Sequence, residues 1–345
     1  MLTRAKVRNA VIPAAGYGTR MLPATKAIPK EMLPVAGKPL IRHAVEEAAA
    51  SGIETVILVL RSDESLPQTH FRRNPELEIF LEERQQTAEG EHVRRLTRLA
   101  EIVYVWQERP LGLAHAISCV QSVVGEETFA VLLPDVIMLA EIPVTLQLLR
   151  ARQQQGGSIV AIREVEACAV ERHGIVSADP TGVHSSNNTV RVTNLVEKPT
   201  PTQACSRFGV FGRYLLEPAV WDFIAQTPAD RRGEVQLTDA LCRLCKESPL
   251  YGHFFEGQCF DAGGKSRARS SESRPPPTTL ALRIASFKTG REFPSIALFH
   301  PPSAAPPGAD PIEFSFPTPI DVYLSGWSAP NRKRRSQTVL TYCSY

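Results

Sequence analysis

The sequence predicts an α/β fold, a mixed and mostly parallel sheet flanked by helices, followed by an irregular C-terminal tail. Three observations carry this. The first half alternates short apolar runs with amphipathic ones, the rhythm of a parallel sheet covered on both sides. One apolar run, TVILVL (55–60), is continuous and largely β-branched, as suits a strand buried on both faces. After residue 265 the periodicity stops, and proline and positive charge accumulate.

In chain order, NAVIP (9–13) reads as a strand leading into a glycine-rich loop. PLIRHAVEEAAASG (39–52) has helical spacing and ends at Gly52, a residue suited to a helix C-terminus. After TVILVL, the polar stretch 61–100 predicts one or two helices. IVYVWQ (102–107) is the next strand, LGLAHAISCVQSVV (111–124) a helix, and FAVLLPD (129–135) a strand ending at Asp135. Beyond residue 155 the pattern turns β-rich: SIVAIREV, GIVSA, VRVTNLVEKP and SRFGVFGRYLL predict strands. Helices are expected around 217–226 and 236–247, then one strand-like run, YGHFFEGQCF, ending at Asp261.

The 345 residues allow two domains, or one large α/β unit with an appendage. At 43% hydrophobic residues the chain can bury a sizeable core. It has no apolar run of about 18 residues, which argues against a spanning helix. The start, MLTRAKVRNAVIP, lacks a signal peptide's long apolar region, so a cytoplasmic protein with no membrane partner is expected. The net charge of +3 averages two unlike pieces. Residues 266–345 hold 10 Lys/Arg, 5 Asp/Glu and 12 of the 28 prolines, whereas residues 1–265 hold 29 basic and 31 acidic side chains. The expected division is therefore one domain over 1–265 and a Pro-rich basic tail over 266–345, disordered or loosely packed. RKRR (332–335) reads as a solvated charge run, and no nucleic-acid partner is expected.

The seven cysteines (119, 168, 205, 242, 245, 259, 343) are odd in number and scattered, which suits reduced thiols. Cys242 and Cys245 form a C-x-x-C, but within an amphipathic helical pattern and with no second pair at zinc spacing. Packing is the expected role.

The segment richest in chemistry is AVIPAAGYGTRMLPATKAIPKEMLPVAGKPLI (10–41). Gly16 and Gly18 after a strand let the backbone approach an anion, and Arg20, Lys26 and Lys30 add cations beside the turn. No G-K-[ST] closes it as in a P-loop, and Met21 stands where the dinucleotide fingerprint has its third glycine. A G-x-G alone would be read as a tight turn.

The whole string resembles the signature of the sugar-phosphate nucleotidylyltransferases, and ATKAIPKEMLP is similar to the bacterial UTP–glucose-1-phosphate uridylyltransferase branch. The likeness continues through LPDVI (133–137), VEKP (196–199), FGRYLL (211–216), EVQLTDA (234–240) and FDAGGK (260–265), so it spans about residues 7–265. It implies a Rossmann-like nucleotide-diphospho-sugar transferase fold and uridylyl transfer from UTP to glucose 1-phosphate, giving UDP-glucose and pyrophosphate. The attacking group is already a phosphate anion near neutral pH, so positioning and charge stabilisation must do the catalysis. That suits a sequence in which cations and carboxylates stand out and no Ser/His/Asp set does.

By resemblance, Arg20 meets the departing pyrophosphate, Lys30 the phosphates in the transition state, and Gly18, Thr19 and Lys26 belong to the same phosphate loop. Asp135 matches the metal aspartate, with Mg²⁺ as the implied ion and Asp261 as a second ligand. From composition alone, either Asp could be a turn or cap residue. Ala14, Ala15 and Gly16 would offer backbone groups to uracil, and Gln107 and Gly112 would complete that pocket; a Gln amide can donate and accept at once, which suits an imide edge. Gly174 would let the sugar approach, Glu197 accept from its hydroxyls, and Lys198 pair with its phosphate. Taken alone, Glu197-Lys198 reads as a surface ion pair before Pro199. His115 and His173 are assigned to packing.

The sequence departs from the family at Ala114, where glycine is common, and at Lys265, after which the usual terminal helix is replaced by SRARSSESRPPP. A change of reading frame and a lineage-specific extension both account for this, and the coding DNA beyond codon 265 separates them. The family is commonly dimeric or tetrameric, so a homo-oligomer is implied, although the different terminus weakens that transfer. Two rival functions are a dTTP-using thymidylyltransferase and a catalytically inactive nucleotide-sugar-binding protein.

Overall fold

The structure is a computed structural model that describes residues 5–63, 65–179 and 188–262. The expected tail, 266–345, lies outside the described residues.

The first half runs β1 (Asn9–Ala14), a small β2 (Pro34–Val35) and β3 (Lys38–Pro39) ribbon, α1 (Leu40–Ala50), β4 (Thr55–Arg61), α2 (Leu66–Phe71), α3 (Pro75–Glu83), α4 (Thr87–Leu96), β5 (Glu101–Gln107), α5 (Leu113–Ser118), α6 (Gln121–Val124) and β6 (Phe129–Leu132). The second half runs β7 (Val136–Leu139), α7 (Val144–Gln155), β8 (Ser158–Glu164), β9 (Gly174–Ala178), β10 (Thr189–Glu197), β11 (Phe208–Leu216), α8 (Val220–Ala225), α9 (Leu237–Glu247), β12 (Leu250–Phe254) and β13 (Gln258–Asp261).

Nine strands form one sheet in the order β5-β4-β1-β6-β11-β8-β12-β10-β9. Strands β5, β4, β1 and β6 are parallel neighbours, as are β8 and β12. Only β11 and β10 run against the others, so the sheet is mixed but mostly of one direction. Strand β1 shows how the sequence fills both sides: Val11 packs into one core and Ala10, Ile12 and Ala14 into the other. The first core lies under α5, α8 and α9, where the Phe129 and Trp221 rings stack with centroids 4.7 Å apart. The second lies under α1 and α7, through Ile41, Val45 and Leu148. Each such buried aliphatic side chain contributes on the order of 1.5–3 kcal/mol.

Four expectations need correction. The stretch 61–100 holds three short helices, because Pro67 and Pro75 each open a new helix and Asn74 caps the second by accepting from the Leu77 N–H at 3.1 Å. The helix expected over 111–124 is two pieces. Ser118 Oγ and Cys119 Sγ both donate to the His115 carbonyl, competing with the helical ladder at the break. The run YGHFFEGQCF is two strands in different sheets: β12 ends at Phe254, and after a turn β13 pairs antiparallel with β7. Strand β6 stops at Leu132, so Asp135 lies in the turn that follows it and not at the strand's last position. Strand β7 and helix α7 have no counterpart in the sequence patterns. The polar RARQQQ end of α7 hides the stripe of Val144, Leu148 and Ala151 that it buries.

On α9, Leu237, Ala240, Leu241, Leu244 and Cys245 make the buried stripe. Cys242 donates its thiol to Asn194 Oδ1 at 3.0 Å. Both cysteines therefore have packing roles. No helix among the described residues is long and apolar enough to cross a membrane.

Candidate active site

The site lies beyond the carboxyl ends of β1, β5 and β6, where ligands bind in open α/β sheets. Ala14 and Ala15 are buried at the end of β1, and Gly16 is exposed. Gly18 has φ +62°, and a Cβ there would stand 3.1 Å from both Lys30 Cβ and Thr25 Cγ2. Thr25 Oγ1 donates to the Gly18 carbonyl at 2.8 Å, so the loop doubles back and Lys30 runs alongside its glycines. Thr19 and Arg20 open the next turn, both exposed, and Lys26 ends the one after, also exposed.

Lys30 Nζ donates to Asp135 Oδ2 at 3.0 Å and lies 3.7 Å from the buried Glu31. Burial pulls the ammonium's pKa down, but Asp135 and Glu31 outweigh that and raise it, against a smaller opposing effect of Arg20. Lys30 is therefore a fixed cation throughout the neutral range.

Asp135 owes its position to Arg213, a residue that sequence patterning gave no role. This guanidinium is 1% exposed, and all five of its hydrogens are used. Nη1 donates to the carbonyls of Leu133 (3.0 Å) and Gly212 (3.1 Å), and Nη2 to the carbonyl of Val136 (2.8 Å). The rest go to Glu47, from Nη2 at 2.8 Å and from Nε at 3.1 Å. Glu47 in turn accepts from the Thr145 N–H and hydroxyl. Arg213 thus grips the chain on both sides of Asp135 and ties it to α1 and α7. On the other side, the Ala262 N–H donates to the Asp135 carbonyl at 2.8 Å, and Asp261 stands opposite Val136 in the β13–β7 register. Asp135 and Asp261 consequently lie on neighbouring segments.

Gln107, buried at the end of β5, directs its amide nitrogen to the Gly112 carbonyl (3.3 Å) and to His115 Nδ1 (2.8 Å). Both amide hydrogens are committed inside the protein. With two internal acceptors holding its nitrogen, Oε1 is the polar atom that the side chain leaves open. Gly112 has φ +97°, and a Cβ there would come within 2.8 Å of the Val235 backbone nitrogen and oxygen. Gly112→Ala is expected to cost about 1–3 kcal/mol; urea unfolding checks this.

The third cluster joins β9, β10 and α9. Glu197 stands opposite Gly174 in register. Its Oε2 accepts from Thr238 Oγ1 at 2.6 Å and its Oε1 from Lys198 Nζ at 2.6 Å. A Cβ on Gly174 would lie 3.0 Å from Thr238 Oγ1, so the glycine leaves room beside that pair. Lys198 is held at φ +44°, costly for a residue with a side chain, with its N–H donating to the His173 carbonyl. The three clusters share one region. Burial raises the pKa of Tyr214, and the fields of both Glu197 and Asp135 raise it further. Burial lowers that of His173 against opposing effects that include Asp261 and Glu197.

Sequence reasoning overlooked Arg213, Glu47, Thr238 and Tyr214. Three of these lie inside FGRYLL and EVQLTDA, which were visible as motifs, but a motif does not say that an arginine is buried under a loop.

Residues 9–268 match the family described as nucleotidyl transferase. The chain is 41% identical over 262 residues to the UTP–glucose-1-phosphate uridylyltransferase YngB of Bacillus subtilis (strain 168), covering 76% of this chain and 87% of that protein. Among solved structures it resembles a UDP-glucose pyrophosphorylase complexed with UDP-glucose, with TM-score 0.67 and 33% identity over 75% of this chain and 94% of the other. It also resembles the UTP-bound enzyme of Acinetobacter baumannii, with TM-score 0.68 and 35% identity over 75% and 90%.

Proposed function

Because the chain belongs to the nucleotidyl transferase family, we propose that it transfers the uridylyl group of UTP to glucose 1-phosphate, giving UDP-glucose and pyrophosphate. The observation that carries this reading is the Lys30–Asp135 pair at the mouth of the glycine loop, 3.0 Å apart. Each group offsets the other's charge. A triphosphate with its metal brings one anionic and one cationic partner, so both groups can exchange partners as substrate binds.

In the reaction, a phosphate oxygen of glucose 1-phosphate forms a bond to the α-phosphorus of UTP. The bond from that phosphorus to the oxygen bridging to the β-phosphate breaks, and pyrophosphate leaves with the electron pair. Lys30 offsets charge growing on the phosphates, Arg20 meets the leaving pyrophosphate, and Lys26 adds a cation to the same loop. Gly18 and Thr19 bring backbone to the phosphates. Ala14, Ala15, Gly16, Gln107 and Gly112 hold the base. Glu197 accepts from sugar hydroxyls, Lys198 pairs with the sugar phosphate, and Gly174 leaves room for the ring.

The donor set fits Mg²⁺. Asp135 and Asp261 offer oxygen alone, and Mg²⁺ is bound through one or two carboxylates with phosphates and water supplying the rest. Among the described residues no group of three or more His, Cys, Asp or Glu could hold a metal. This suits an ion that arrives with the nucleotide better than a closed protein cage. When bound, the ion neutralises charge between the phosphates.

UTP- and glucose-1-phosphate-dependent pyrophosphate release is the test. Turnover with Mg²⁺ that stops on chelation is expected. No turnover by folded protein would favour a nucleotide-sugar-binding protein, and preference for dTTP would favour the thymidylyltransferase reading.

A further inference from the structure

We infer that His115 is a positioning residue for base selection: by accepting a hydrogen bond from Gln107, it leaves the Gln107 amide only an oxygen to offer the nucleobase. The inference rests on the uridylyl-transfer reading, which places Gln107 in the base pocket.

The orientation follows from the partners. The Gly112 carbonyl can only accept, so the amide group facing it at 3.3 Å is the nitrogen. That nitrogen has two hydrogens and nothing with which to accept, so His115 Nδ1, at 2.8 Å, must be the acceptor. The imidazole then carries its proton on Nε2. Cys119 Sγ, 4.0 Å from the same Nδ1, does not compete, because its nearer acceptor is the His115 carbonyl at 3.2 Å. With both amide hydrogens spent, Gln107 Oε1 is the group left for a ligand.

An acceptor at that point selects a base edge that donates. Uracil and thymine present a ring N3–H there, whereas cytosine presents a bare N3 lone pair that would face Oε1 in repulsion. Without His115's acceptor, one buried amide hydrogen loses its partner, and only the longer 3.3 Å bond to the Gly112 carbonyl still opposes a turn of the amide toward the base. A donor then reaches the base, and cytosine becomes acceptable. The histidine, which touches no substrate, so decides what the glutamine reads.

The test compares kcat/KM for UTP and CTP in the full chain, as wild type, His115→Leu and His115→Asn. Asparagine keeps an oxygen acceptor close to the Nδ1 position, and leucine removes it. The UTP/CTP ratio is expected to fall about tenfold or more in His115→Leu and to stay near wild type in His115→Asn. An unchanged ratio in the leucine variant, or an equal fall in both, overturns the inference. If either variant fails to fold, ¹⁵N NMR of wild-type His115 decides: a protonated Nε2 and bare Nδ1 support it, and a protonated Nδ1 overturns it. Absence of UTP turnover in wild type would instead count against the uridylyl-transfer reading itself, which separates the two failures.

Discussion

Lys30→Met is expected to lower kcat for pyrophosphate release by about 10²- to 10³-fold, the usual loss when one preorganised charge-stabilising group is removed. The KM for UTP should rise by less, because the ammonium matters most as charge builds on the phosphates. Steady-state kinetics on the folded variant check this. The pH dependence of stability has a definite sign. The native pKa of Lys30 is raised by Asp135 and Glu31 over the opposing effect of burial. Its ion pair therefore contributes fully below the unfolded lysine value of about 10.4 and is lost as pH rises through the higher native value. Wild type and Lys30→Met should keep a constant stability difference from pH 6 to 9 and converge only in strong alkali, as urea unfolding at a series of pH values would show.

Arg213→Met is expected to cost about 3–5 kcal/mol, because it leaves Glu47 buried without its cation. For a domain of this size the melting temperature should fall by on the order of 10 °C. Glu47→Gln keeps acceptor capacity for Thr145 and should cost less. In a double-mutant cycle, Arg213→Met/Glu47→Gln should be more stable than the sum of the single changes implies, since the unpaired charge is gone. Activity should stay low in the double variant even where stability recovers. The carbonyls of Leu133 and Val136 lose their donor in both, and Asp135 loses the grip that fixes it. Recovery of full activity would show that Arg213 serves stability alone.

The glycine loop shows how much of the site is legible in sequence. Its glycines and cations are local in the chain, and the requirement at Gly18 is local too, since Lys30 and Thr25 lie within 12 positions of it. The same holds for the strands: VILVL (56–60) is buried on both faces because it has no polar position to turn outward. Local order departs from the sequence pattern where a side chain competes with the backbone, as at Ser118 and Cys119, or where prolines cut a polar stretch into pieces. Helix α7 shows no clear helical pattern in sequence because its polar RARQQQ end masks the buried stripe of Val144, Leu148 and Ala151.

The amino-acid order by itself determined the alternating α/β plan, the glycine loop with its cations, and the change in composition at residue 265. Each depends on neighbours in the chain or on simple periodicity. Only the tertiary structure decided what holds Asp135, what occupies the Gln107 amide, and what Glu197 touches. Arg213 and Glu47 are separated by 166 positions, Lys30 and Asp135 by 105, and Glu197 and Thr238 by 41. A buried arginine and a solvated one are the same letter. What separates them is the desolvation imposed by distant segments, which exists only once the chain has folded.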